Sequence, residues 1–560
     1  MKVEKPWLNS YPDELPHDLA YENKPLHSFL TDTANTFPDH QSIYFLGKKM
    51  TFREVHEAAL KFAAYLQKIG IKKGDRIALI LPNCPQAVIS YYGILFSGGI
   101  VVPTNPLFTE RELEYQLKDS ECTAIISLDL LYPRIIKMKA LTKISHLIFT
   151  SIKDYLPFPK NKLYQISQRK NLLVHIKENE ETHLFQSIIK NTAESLHSVD
   201  IDPLHDIAVL QYTGGTTGLP KGAMLTHQNI AANTKMCAEW LSKLKKGSES
   251  ILGIVPFFHV YGMTTILNLS VLQAFQMILL PKFNALDALK TIHKLKPSLF
   301  PGAPTLYIAL LNHPEVYKYD LSSIDTCISG SAALPVEVKH QFEKVTGGKL
   351  VEGYGLSEAS PVTHANFMWG KNKPGSIGCP WPGTDAAIYS EETGEALPPY
   401  ERGELIVKGP QVMKGYWNNP EETANVLRDG WLFTGDIAYM DEEGFFYIVD
   451  RKKDLIIASG YNIYPREIEE IFYEHEAIRE VVVAGIPDSY RGETVKAYVV
   501  LKQHATLTEK ELDEYARTHL ASYKVPRVYE FRDELPKTTV GKILRRALIE
   551  EEKEKMNQTK

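Results

Sequence analysis

Apolar and polar residues alternate along most of the chain in two rhythms, one typical of helices and one of strands. The segment FREVHEAALKFAAYLQKIG, residues 52–70, has the rhythm of an amphipathic helix. Short runs rich in β-branched residues follow it at intervals, namely RIALIL, TAIISL, HLIFT and DIAVLQY. Because helices alternate with strands from about residue 51 to residue 449, the pattern predicts an α/β architecture with largely parallel sheets.

One stretch has the hydrophobicity of a membrane segment. Residues 77–109 contain no charged side chain, but Pro82, Pro85 and Pro103 interrupt them. The uninterrupted part, residues 87–102, is shorter than the roughly 20 residues that cross a bilayer. We therefore expect a buried helix packed between buried strands. Peripheral contact with the inner face of a membrane stays open.

The pattern changes near Asp450. The charged run VDRKKD separates the apolar runs FFYIV and LIIA, and we expect DRKKD to lack regular structure. Two strand patterns follow, REVVVAGI and KAYVVLK, and then two helix patterns, EKELDEYARTHLA and ILRRALIEEEKEK. These patterns predict a large domain over residues 1–450 and a small α+β domain over residues 451–560.

Composition narrows the class of protein further. The chain has 560 residues, 44% of them hydrophobic and 23% charged, which is typical of a globular protein with two or more domains. Its five cysteines are scattered without a CxxC pair, so they indicate neither a disulfide framework nor a zinc site. They are compatible with a cytoplasmic protein. The formal net charge of −5 gives no reason to expect a nucleic-acid partner.

The most informative segment is YTGGTTGLPKG, residues 212–222. Its glycines let backbone N–H groups converge on an anion, its threonines add hydroxyl donors, and Lys221 supplies a positive charge. In the Walker loop the lysine follows a glycine, whereas here Pro220 precedes Lys221 and Gly222 follows it. The segment follows a strand pattern and precedes the helix pattern LTHQNIAANTKMC. It predicts a phosphate loop of another kind, in preference to a polar surface turn.

Two other motifs are incomplete. GYGLSE, residues 353–358, begins like the dinucleotide fingerprint but has Glu358 where the third glycine belongs. GLSEA, residues 355–359, lacks the last glycine of the nucleophile elbow GxSxG. Taken alone, the second motif would make Ser357 the nucleophile of a serine hydrolase.

Taken together, these motifs resemble the adenylate-forming (AMP-binding) superfamily of acyl-CoA synthetases, nonribosomal-peptide adenylation domains and firefly luciferases. The resemblance covers residues 51–542. It is closest to bacterial long-chain fatty-acid–CoA ligases in DGWLFTGDIAYMDEEGFFYIVDRKKD and SGYNIYPREIEE. It implies an acid–thiol ligase that uses ATP and Mg²⁺ to convert a fatty acid to its acyl-adenylate, releases pyrophosphate, and transfers the acyl group to coenzyme A with release of AMP.

The resemblance also implies which residues form the nucleotide site. Tyr354 would stack on the adenine, Asp436 would hold the ribose with Arg451 nearby, and Glu358 with Thr216 would hold Mg²⁺. Ser357 replaces the threonine of many members and keeps its hydroxyl. The full implied nucleotide set is Thr213, Gly214, Gly215, Thr216, Thr217, Gly218, Lys221, Gly330, Ser331, Ala332, Glu352, Gly353, Tyr354, Gly355, Ser357, Asp436, Arg451 and Gly460.

Three further residues are implied as catalytic. Lys542, in PKTTVGKILRR, falls at the position of the catalytic lysine, and Lys453 falls at the hinge. His259, in PFFHVYG, would lie beside the acyl carboxylate. The resemblance also implies that the small domain is mobile. After adenylation it is expected to rotate about a hinge near residues 450–454, which withdraws Lys542 and brings Gly460 to the thioester site. Tyr416 and Trp431 are expected to be structural.

Other functions stay open. Within the superfamily, the enzyme could adenylate another carboxylic acid or load a carrier protein. The apolar stretches IVPFFHVYGMTTILNLSVL and LFPGAPTLYIALL contain no charge to recognise an amino group, which disfavours an amino acid. Outside the class, a hydrolase based on Ser357 or a non-catalytic nucleotide-binding regulator are the alternatives. The partners expected are a fatty acid and coenzyme A, and the sequence leaves a homodimer open.

Overall fold

The structure is a computed structural model. It describes residues 3–167, 176–193, 195–213, 220–452, 454–458, 461–488, 491–538 and 541–558.

The strands in chain order are β1 (Gln41–Phe45), β2 (Lys48–Thr51), β3 (Arg76–Ile80), β4 (Ile100–Pro103), β5 (Ala124–Leu128), β6 (His146–Thr150), β7 (Thr182–Leu184), β8 (Ile207–Thr213), β9 (Lys221–Thr226), β10 (Ser250–Gly253), β11 (Gln276–Leu279), β12 (Thr326–Ser329), β13 (Lys349–Gly355), β14 (Val362–Ala365), β15 (Cys379–Pro380), β16 (Asp385–Tyr389), β17 (Gly403–Lys408), β18 (Gly415–Tyr416), β19 (Leu427–Arg428), β20 (Trp431–Met440), β21 (Phe446–Arg451), β22 (Ile456–Ala458), β23 (Tyr461–Ile463), β24 (Ile478–Asp488), β25 (Gly492–Leu501) and β26 (Val528–Phe531).

The helices are α1 (Ser28–Thr36), α2 (Phe52–Lys68), α3 (Pro85–Phe96), α4 (Glu110–Asp119), α5 (Tyr132–Leu141), α6 (Lys160–Ser167), α7 (Phe185–Asn191), α8 (His227–Trp240), α9 (Val260–Gly262), α10 (Leu269–Leu272), α11 (Ala285–Leu295), α12 (Pro304–Leu311), α13 (Val336–Thr346), α14 (Pro420–Val426), α15 (Pro465–Tyr473), α16 (Glu509–His519) and α17 (Arg545–Gln558). A π-helical stretch, Met263–Asn268, joins α9 to α10. Short 3₁₀ turns occupy Pro6–Ser10, Asp129–Leu131, Ile152–Tyr155, Val316–Lys318 and Ser357–Ala359.

Local sequence signals explain where several helices begin. Thr51 caps α2 and its partner Glu54 returns a hydrogen bond to the Thr51 backbone, which forms a capping box. Thr508 and Glu511 do the same for α16. Other helices begin at a proline, as α15 does at Pro465, because a proline at the first helical position loses no hydrogen bond.

The largest sheet has eight strands in the order β18-β9-β8-β4-β3-β5-β6-β7. Its strands from β8 to β7 pair in parallel, and β9 and β18 add antiparallel pairs at one edge. β9 was not predicted, because the segment before α8 was expected to be a loop. Instead Lys221–Thr226 returns antiparallel to β8, so that Thr213 pairs with Lys221.

Three further sheets complete the large part. Two are four-stranded, β10-β11-β1-β2 and β12-β13-β14-β15, and each mixes parallel with antiparallel pairs. The third, formed by β16, β17, β19, β20 and β21, is antiparallel throughout. The mixed α/β class is therefore confirmed. The parallel pairing that was predicted throughout is concentrated in the first 355 residues.

The C-terminal part has a sheet and a core of its own. β22 to β26 form one five-stranded sheet, against which α15 and α17 pack. Two apolar clusters, containing for example Ile468 and Val483 in one and Tyr498 and Leu548 in the other, consist only of residues beyond 455. The proposed boundary at residue 450 and the hinge near 450–454 stay predictions. The expectation that DRKKD lacks regular structure is wrong for Asp450 and Arg451, which end β21.

Residues 77–109 form the predicted arrangement of a buried helix between buried strands, α3 between β3 and β4. Every residue of α3 is buried. In the part of the chain that the structure describes, no helix combines the length and the hydrophobicity needed to cross a membrane.

Candidate active site

A cleft of about 680 Å³ is lined by residues from both sides of position 450. It continues into a second cavity of about 770 Å³, because the two share several lining residues. The shared residues are Ser331, Gly353, Tyr354, Gly355, Asp436, Arg451, Thr538, Lys542 and Leu544. Most of them belong to the site that the sequence predicted.

Asp436 and Arg451 face each other across two neighbouring strands. They are register partners of β20 and β21, and Arg451 Nε lies 3.3 Å from Asp436 Oδ1. Tyr354, on β13, donates its hydroxyl to Asp436 Oδ2 over 2.5 Å. Asp436 raises the pKa of Arg451, and burial raises the pKa of Tyr354 well above its ordinary value. These contacts fix one carboxylate in the cleft, where it can accept hydrogen bonds from neighbouring hydroxyls.

The described ends of the predicted phosphate loop lie side by side in the cleft. Thr213 ends β8 and Lys221 begins β9, and the two are register partners. Lys221 forms an ion pair with Glu422 at the start of α14, and its Nζ lies 4.8 Å from the centre of the Tyr416 ring. Gly214, Gly215, Thr216, Thr217 and Gly218 lie outside the described residues, as do Lys453 and Gly460.

Tyr416 is a site residue that the sequence did not reveal. Its hydroxyl donates to Glu358 Oε1 over 2.7 Å, and its ring lies beside Lys221. It therefore contacts both the predicted metal ligand and the predicted phosphate-binding lysine, and the expectation that it is structural rather than catalytic stays a prediction. The contact joins residues that are 58 positions apart, so no local motif could have indicated it.

Glu358 supplies the type of oxygen that Mg²⁺ prefers. It lines the cleft from the 3₁₀ turn Ser357–Ala359, and the Tyr416 hydroxyl orients its carboxylate. Within the described residues, no group of three or more His, Cys, Asp or Glu side chains could hold a metal ion. A Mg²⁺ ion at Glu358 would thus take most of its ligands from phosphate oxygens and water, as is common for this metal.

His259 lines the same cleft from the other side. It caps α9, where Tyr261 N–H donates to its Nδ1 over 3.2 Å. Burial, with a smaller contribution from the charge of Lys542, lowers the pKa of His259 to about 4. The buried amide of Asn83 holds the segment before it by donating to the Gly253 and Val255 carbonyls and accepting from Phe257 N–H. A neutral imidazole is thus held in a fixed place.

Lys542 reaches the cleft from the C-terminal part. A tight turn presents it, in which Thr538 N–H donates to the Lys542 carbonyl over 2.7 Å and Lys542 N–H donates to Thr538 Oγ1 over 3.1 Å. Burial, and next the charge of Arg451, lowers the pKa of Lys542 to about 8. The side chain is therefore still largely charged at pH 7.

The adjoining Gly541 explains how this turn approaches the large part so closely. Its φ is +84°, and a Cβ at this position would lie 2.0 Å from Thr305 Oγ1 on α12. Only a glycine fits both the backbone conformation and the space.

The predicted adenine segments line two different regions. Gly330, Ser331, Gly353, Gly355 and Ser357 line the first cleft. Ala332 and Glu352 line the second cavity but not the first cleft. Glu352 is buried there, 3.6 Å from Arg466 of the C-terminal part, and one of its carboxylate oxygens has no hydrogen-bond partner. Burial raises the pKa of Glu352 to about 7, although Arg466 opposes the shift.

Ser357 does not have the surroundings of a hydrolase nucleophile. Within the described residues, no hydrogen bond joins its hydroxyl to a histidine. His259, which lines the same cleft, accepts a hydrogen bond at Nδ1 from Tyr261 N–H. A serine nucleophile needs an adjacent base, so this arrangement disfavours the hydrolase.

A narrow apolar cavity adjoins the cleft. The two share Tyr261, Ile328 and Val362 among their lining residues. The other residues of the apolar cavity are Cys237, Leu241, Thr265, Leu269, Leu299, Pro301, Thr326 and Trp381, none of which is charged. The open space is only about 20 Å³, so a long apolar ligand would have to move lining side chains.

Comparison with known proteins places this geometry in a family. The model of AMP-binding enzymes matches residues 30–417, and the model of the AMP-binding enzyme C-terminal domain matches residues 467–542. The chain belongs to the AMP-binding enzyme family. A long-chain-fatty-acid–CoA ligase of Bacillus subtilis (strain 168) is 68% identical over 555 residues, which are 99% of each chain. A long-chain-fatty-acid–CoA ligase of Escherichia coli O6:H1 is 40% identical over 563 residues, 99% of this chain and 100% of that one.

Solved structures of AMP-binding enzymes have the same fold. ATP-bound MatB from Rhodopseudomonas palustris aligns with a TM-score of 0.83 and 29% identity, over 95% of this chain and 99% of that one. The anthranilate CoA ligase AuaEII in complex with anthranoyl-AMP aligns with a TM-score of 0.84 and 26% identity, over 95% of this chain and 98% of that one.

Proposed function

We propose that this protein is an ATP-dependent ligase that converts a long-chain fatty acid to its acyl-CoA through an acyl-adenylate. The observation that carries the proposal is the meeting of Lys542 with Asp436, Tyr354 and Glu358 in one cleft that adjoins an uncharged apolar cavity. The 68% identity with a Bacillus subtilis long-chain-fatty-acid–CoA ligase supports the choice of substrate.

The first step joins two anionic reactants. A carboxylate oxygen of the fatty acid attacks the α-phosphorus of ATP, and the bond from that phosphorus to the bridging oxygen of pyrophosphate breaks. Because both reactants are negative, positioning and positive charge contribute most to the rate. Lys542 would stabilise the developing charge at the bridging oxygen, and Lys221 would bind the departing phosphates.

The remaining cleft residues would orient the nucleotide. Asp436, fixed by Arg451 and Tyr354, would accept hydrogen bonds from the ribose hydroxyls. The ring of Tyr354 would lie against the adenine, and the neutral His259 would lie beside the fatty-acid carboxylate. Mg²⁺ at Glu358 would neutralise phosphate charge and hold the phosphates in one geometry.

In the second step the sulfur of coenzyme A attacks the acyl carbon. The bond from that carbon to the phosphate oxygen breaks, AMP leaves, and the thiol proton passes to solvent. Lys542 is not needed for this step. We propose that the small domain turns about Lys453 and brings Gly460 towards the thioester site, as the resemblance implies.

The experiment is to measure pyrophosphate release from ATP with acids from acetate to oleate and with benzoate, with and without coenzyme A. Release that rises with chain length, with acyl-CoA as the product, is the expected result. Pyrophosphate release without formation of acyl-CoA would mean that another acceptor, such as a carrier protein, takes the acyl group. ATP binding without pyrophosphate release for any acid would reject the ligase and indicate a non-catalytic nucleotide-binding regulator.

A variant separates the two steps. Lys542→Ala should abolish formation of the acyl-adenylate but still convert synthetic acyl-adenylate and coenzyme A to acyl-CoA. Lys524→Ala removes a lysine of the same domain that pairs with Glu467 outside the cleft, and should leave both steps intact. Loss of both steps in Lys542→Ala would mean that the lysine is needed for folding rather than for adenylation.

A further inference from the structure

Helix α4 contacts both described ends of the predicted phosphate loop. Before the loop, the Tyr212 hydroxyl donates to Asp119 Oδ2 over 2.5 Å. After the loop, the Tyr115 hydroxyl donates to the Pro220 carbonyl over 2.9 Å. Tyr115 and Asp119 lie four residues apart on α4, so they share one face of the helix. The part of the loop between these ends, residues 214–219, lies outside the described residues.

The Tyr212 ring also covers the strand that leaves the loop. Tyr212 on β8 and Gly222 on β9 are register partners. A Cβ at position 222 would lie 3.2 Å from two carbons of the Tyr212 ring, so the missing side chain gives the ring room to lie across its partner strand. One tyrosine therefore contacts the strand on each side of the loop and binds both to α4 through Asp119.

Trp417 adds a third connection, from the β18 side of β9. Its backbone N–H donates to the Gly222 carbonyl over 2.8 Å, and its indole Nε1–H donates to the Asp119 carbonyl over 3.1 Å. Arg76 lies 5.5 Å from the centre of the Trp417 ring, and its Nε–H donates to the Ser120 carbonyl at the end of α4. The C-terminal end of α4 is thus held against the strand that begins directly after the loop.

We propose that Tyr115 and Asp119 are positioning residues, which hold the two ends of the phosphate loop so that its backbone N–H groups converge on the β- and γ-phosphates of ATP. Neither is among the described residues that line the cleft, so they act through Tyr212 and Pro220. The inference rests on the proposed function, because it assigns both residues to the adenylation step.

Fixed ends matter for a loop of this composition. Residues 213–218 contain three glycines, and a glycine-rich chain loses much conformational freedom when it closes on a ligand. Contacts that hold both ends reduce the number of conformations of the free loop, so less entropy is lost when ATP binds. We therefore expect Tyr115 and Asp119 to contribute to the affinity for the β- and γ-phosphates.

The test compares ligands and steps that differ in their phosphates. ATP carries the β- and γ-phosphates, whereas AMP and the acyl-adenylate carry only the α-phosphate. Tyr115→Phe and Asp119→Ala should each raise Kd and KM for ATP by about three- to tenfold, because each removes one hydrogen bond that holds the loop. Kd for AMP, and the rate at which synthetic acyl-adenylate and coenzyme A give acyl-CoA, should stay within about twofold of the wild type, as should kcat at saturating ATP.

Matched variants separate positioning from folding. Tyr11→Phe removes another hydroxyl that donates to a proline carbonyl, that of Pro380, outside the cleft, and should leave Kd for ATP unchanged. Asp119→Asn keeps an acceptor oxygen for Tyr212 and should restore most of the affinity that Asp119→Ala loses. Because Asp119 and Tyr212 share one hydrogen bond, Asp119→Ala/Tyr212→Phe should weaken ATP binding no more than the stronger of the two single changes. The thermal midpoint of each variant checks that it folds.

Two results would overturn the inference. One is an unchanged Kd for ATP in both Tyr115→Phe and Asp119→Ala, and the other is equal weakening of ATP and AMP, which would assign the two residues to general stability. Calorimetric binding requires no turnover, so the outcome is distinguishable from that of the proposed function. A wild type that makes acyl-CoA while both variants bind ATP normally would reject only the positioning role. Selective weakening of ATP in a chain that releases no pyrophosphate with any acid would support the positioning role and reject the ligase.

Discussion

Arg466 and Glu352 form a buried contact between a guanidinium of the C-terminal part and a carboxyl of the large part. The guanidinium lies 3.6 Å from the carboxylate, and the two side chains are only 15% and 6% exposed. The Arg466 side chain also donates to the Ile448 carbonyl, and its backbone N–H donates to Asp450. The pair therefore joins α15 to β13, the strand that carries Tyr354.

We expect Arg466→Ala to slow formation of the acyl-adenylate by about tenfold or more, because it removes the contacts of Arg466 with Glu352 and with the Ile448 carbonyl, which hold the two parts in this orientation. Conversion of synthetic acyl-adenylate to acyl-CoA should change less, since in the proposed cycle the small domain has left this orientation before that step. The check is to measure the rates of the two half-reactions separately in the wild type and in Arg466→Ala.

The control is Arg402→Ala. Arg402 pairs with Glu467 across the same boundary over 3.0 Å, but its side chain is 46% exposed. Exposed pairs contribute at most about 1 kcal/mol, so both half-reactions should stay within about threefold of the wild type. Equal losses in the two variants would show that burial of the Arg466 pair is not what matters.

Gly541→Ala should impair adenylation severely. The new Cβ would meet Thr305 Oγ1 at 2.0 Å and the residue would be strained at a φ of +84°, so Lys542 could not take its place in the cleft. Gly347→Ala has a similar strain, at a φ of +78°, but meets no atom within 4 Å, and should cost stability without this loss. Adding Thr305→Ala to Gly541→Ala should restore part of the activity. If it restores none, contact with Thr305 is not the cause.

The pH dependence of adenylation should report Lys542. Its pKa is lowered to about 8, and the positive form is the one that stabilises the reaction, so activity falls as the pH rises above that value. We expect kcat/KM for ATP, which reports the free enzyme, to fall by up to about tenfold per pH unit above pH 8. Lys542→Arg should be slower but independent of pH to pH 9.5, because an arginine stays charged. A wild-type profile that is flat to pH 9.5 would contradict this assignment.

Tyr416→Phe should raise the Mg²⁺ concentration needed for half-maximal pyrophosphate release by about three- to tenfold. It removes a hydrogen bond to a carboxylate, which is typically worth about 1.5–3 kcal/mol, and leaves Glu358 less well oriented. Tyr447→Phe removes a similar hydroxyl from Asp441 outside the cleft, and should leave the Mg²⁺ requirement unchanged. An unchanged requirement in both variants would exclude Glu358 as a ligand oriented by Tyr416.

Leu269→Trp should shift the preference towards shorter acids. Leu269 lines the apolar cavity, so a larger side chain there shortens the space for the acyl chain. The ratio of the oleate rate to the octanoate rate should fall, and Leu272→Trp, three residues on in the same short helix but outside that lining, should not change it. An unchanged ratio would place the acyl chain elsewhere.

The residues that sequence predicted well lie in contiguous motifs. Each of five proposed residues belongs to a run whose composition indicates a chemical role. All five line the cleft, namely Thr213, Lys221, Tyr354, Asp436 and Lys542. The start of α2 was equally accessible, because the predicted helix pattern begins at Phe52 and its cap, Thr51, is a local signal.

The missed features depend on contacts between distant residues. Asn83 holds a segment about 170 positions later, and Tyr416 orients a carboxylate 58 positions earlier, so neither could be found from spacing. β9 was taken for a loop because KGAMLT has no marked alternation; its pairing with β8 decides its conformation. The ion pair of Arg466 with Glu352 likewise depends on how the two parts dock.

The pairing of β20 with β21 bears on where the acyl-adenylate is held between the two steps. Asp436 and Arg451 are register partners, and Arg451 ends β21 two residues before Lys453, about which the small domain is proposed to turn. A rotation that begins beyond Arg451 would leave this pair where it is and withdraw the lining residues of the C-terminal part, Lys542 among them. The acyl-adenylate would stay bound in the same cleft while the small-domain residues around it change. The reactive anhydride would then not have to be released into water between the two steps. Substitutions confined to the small domain could then change which acceptor takes the acyl group, while the residues that form the adenylate stay the same.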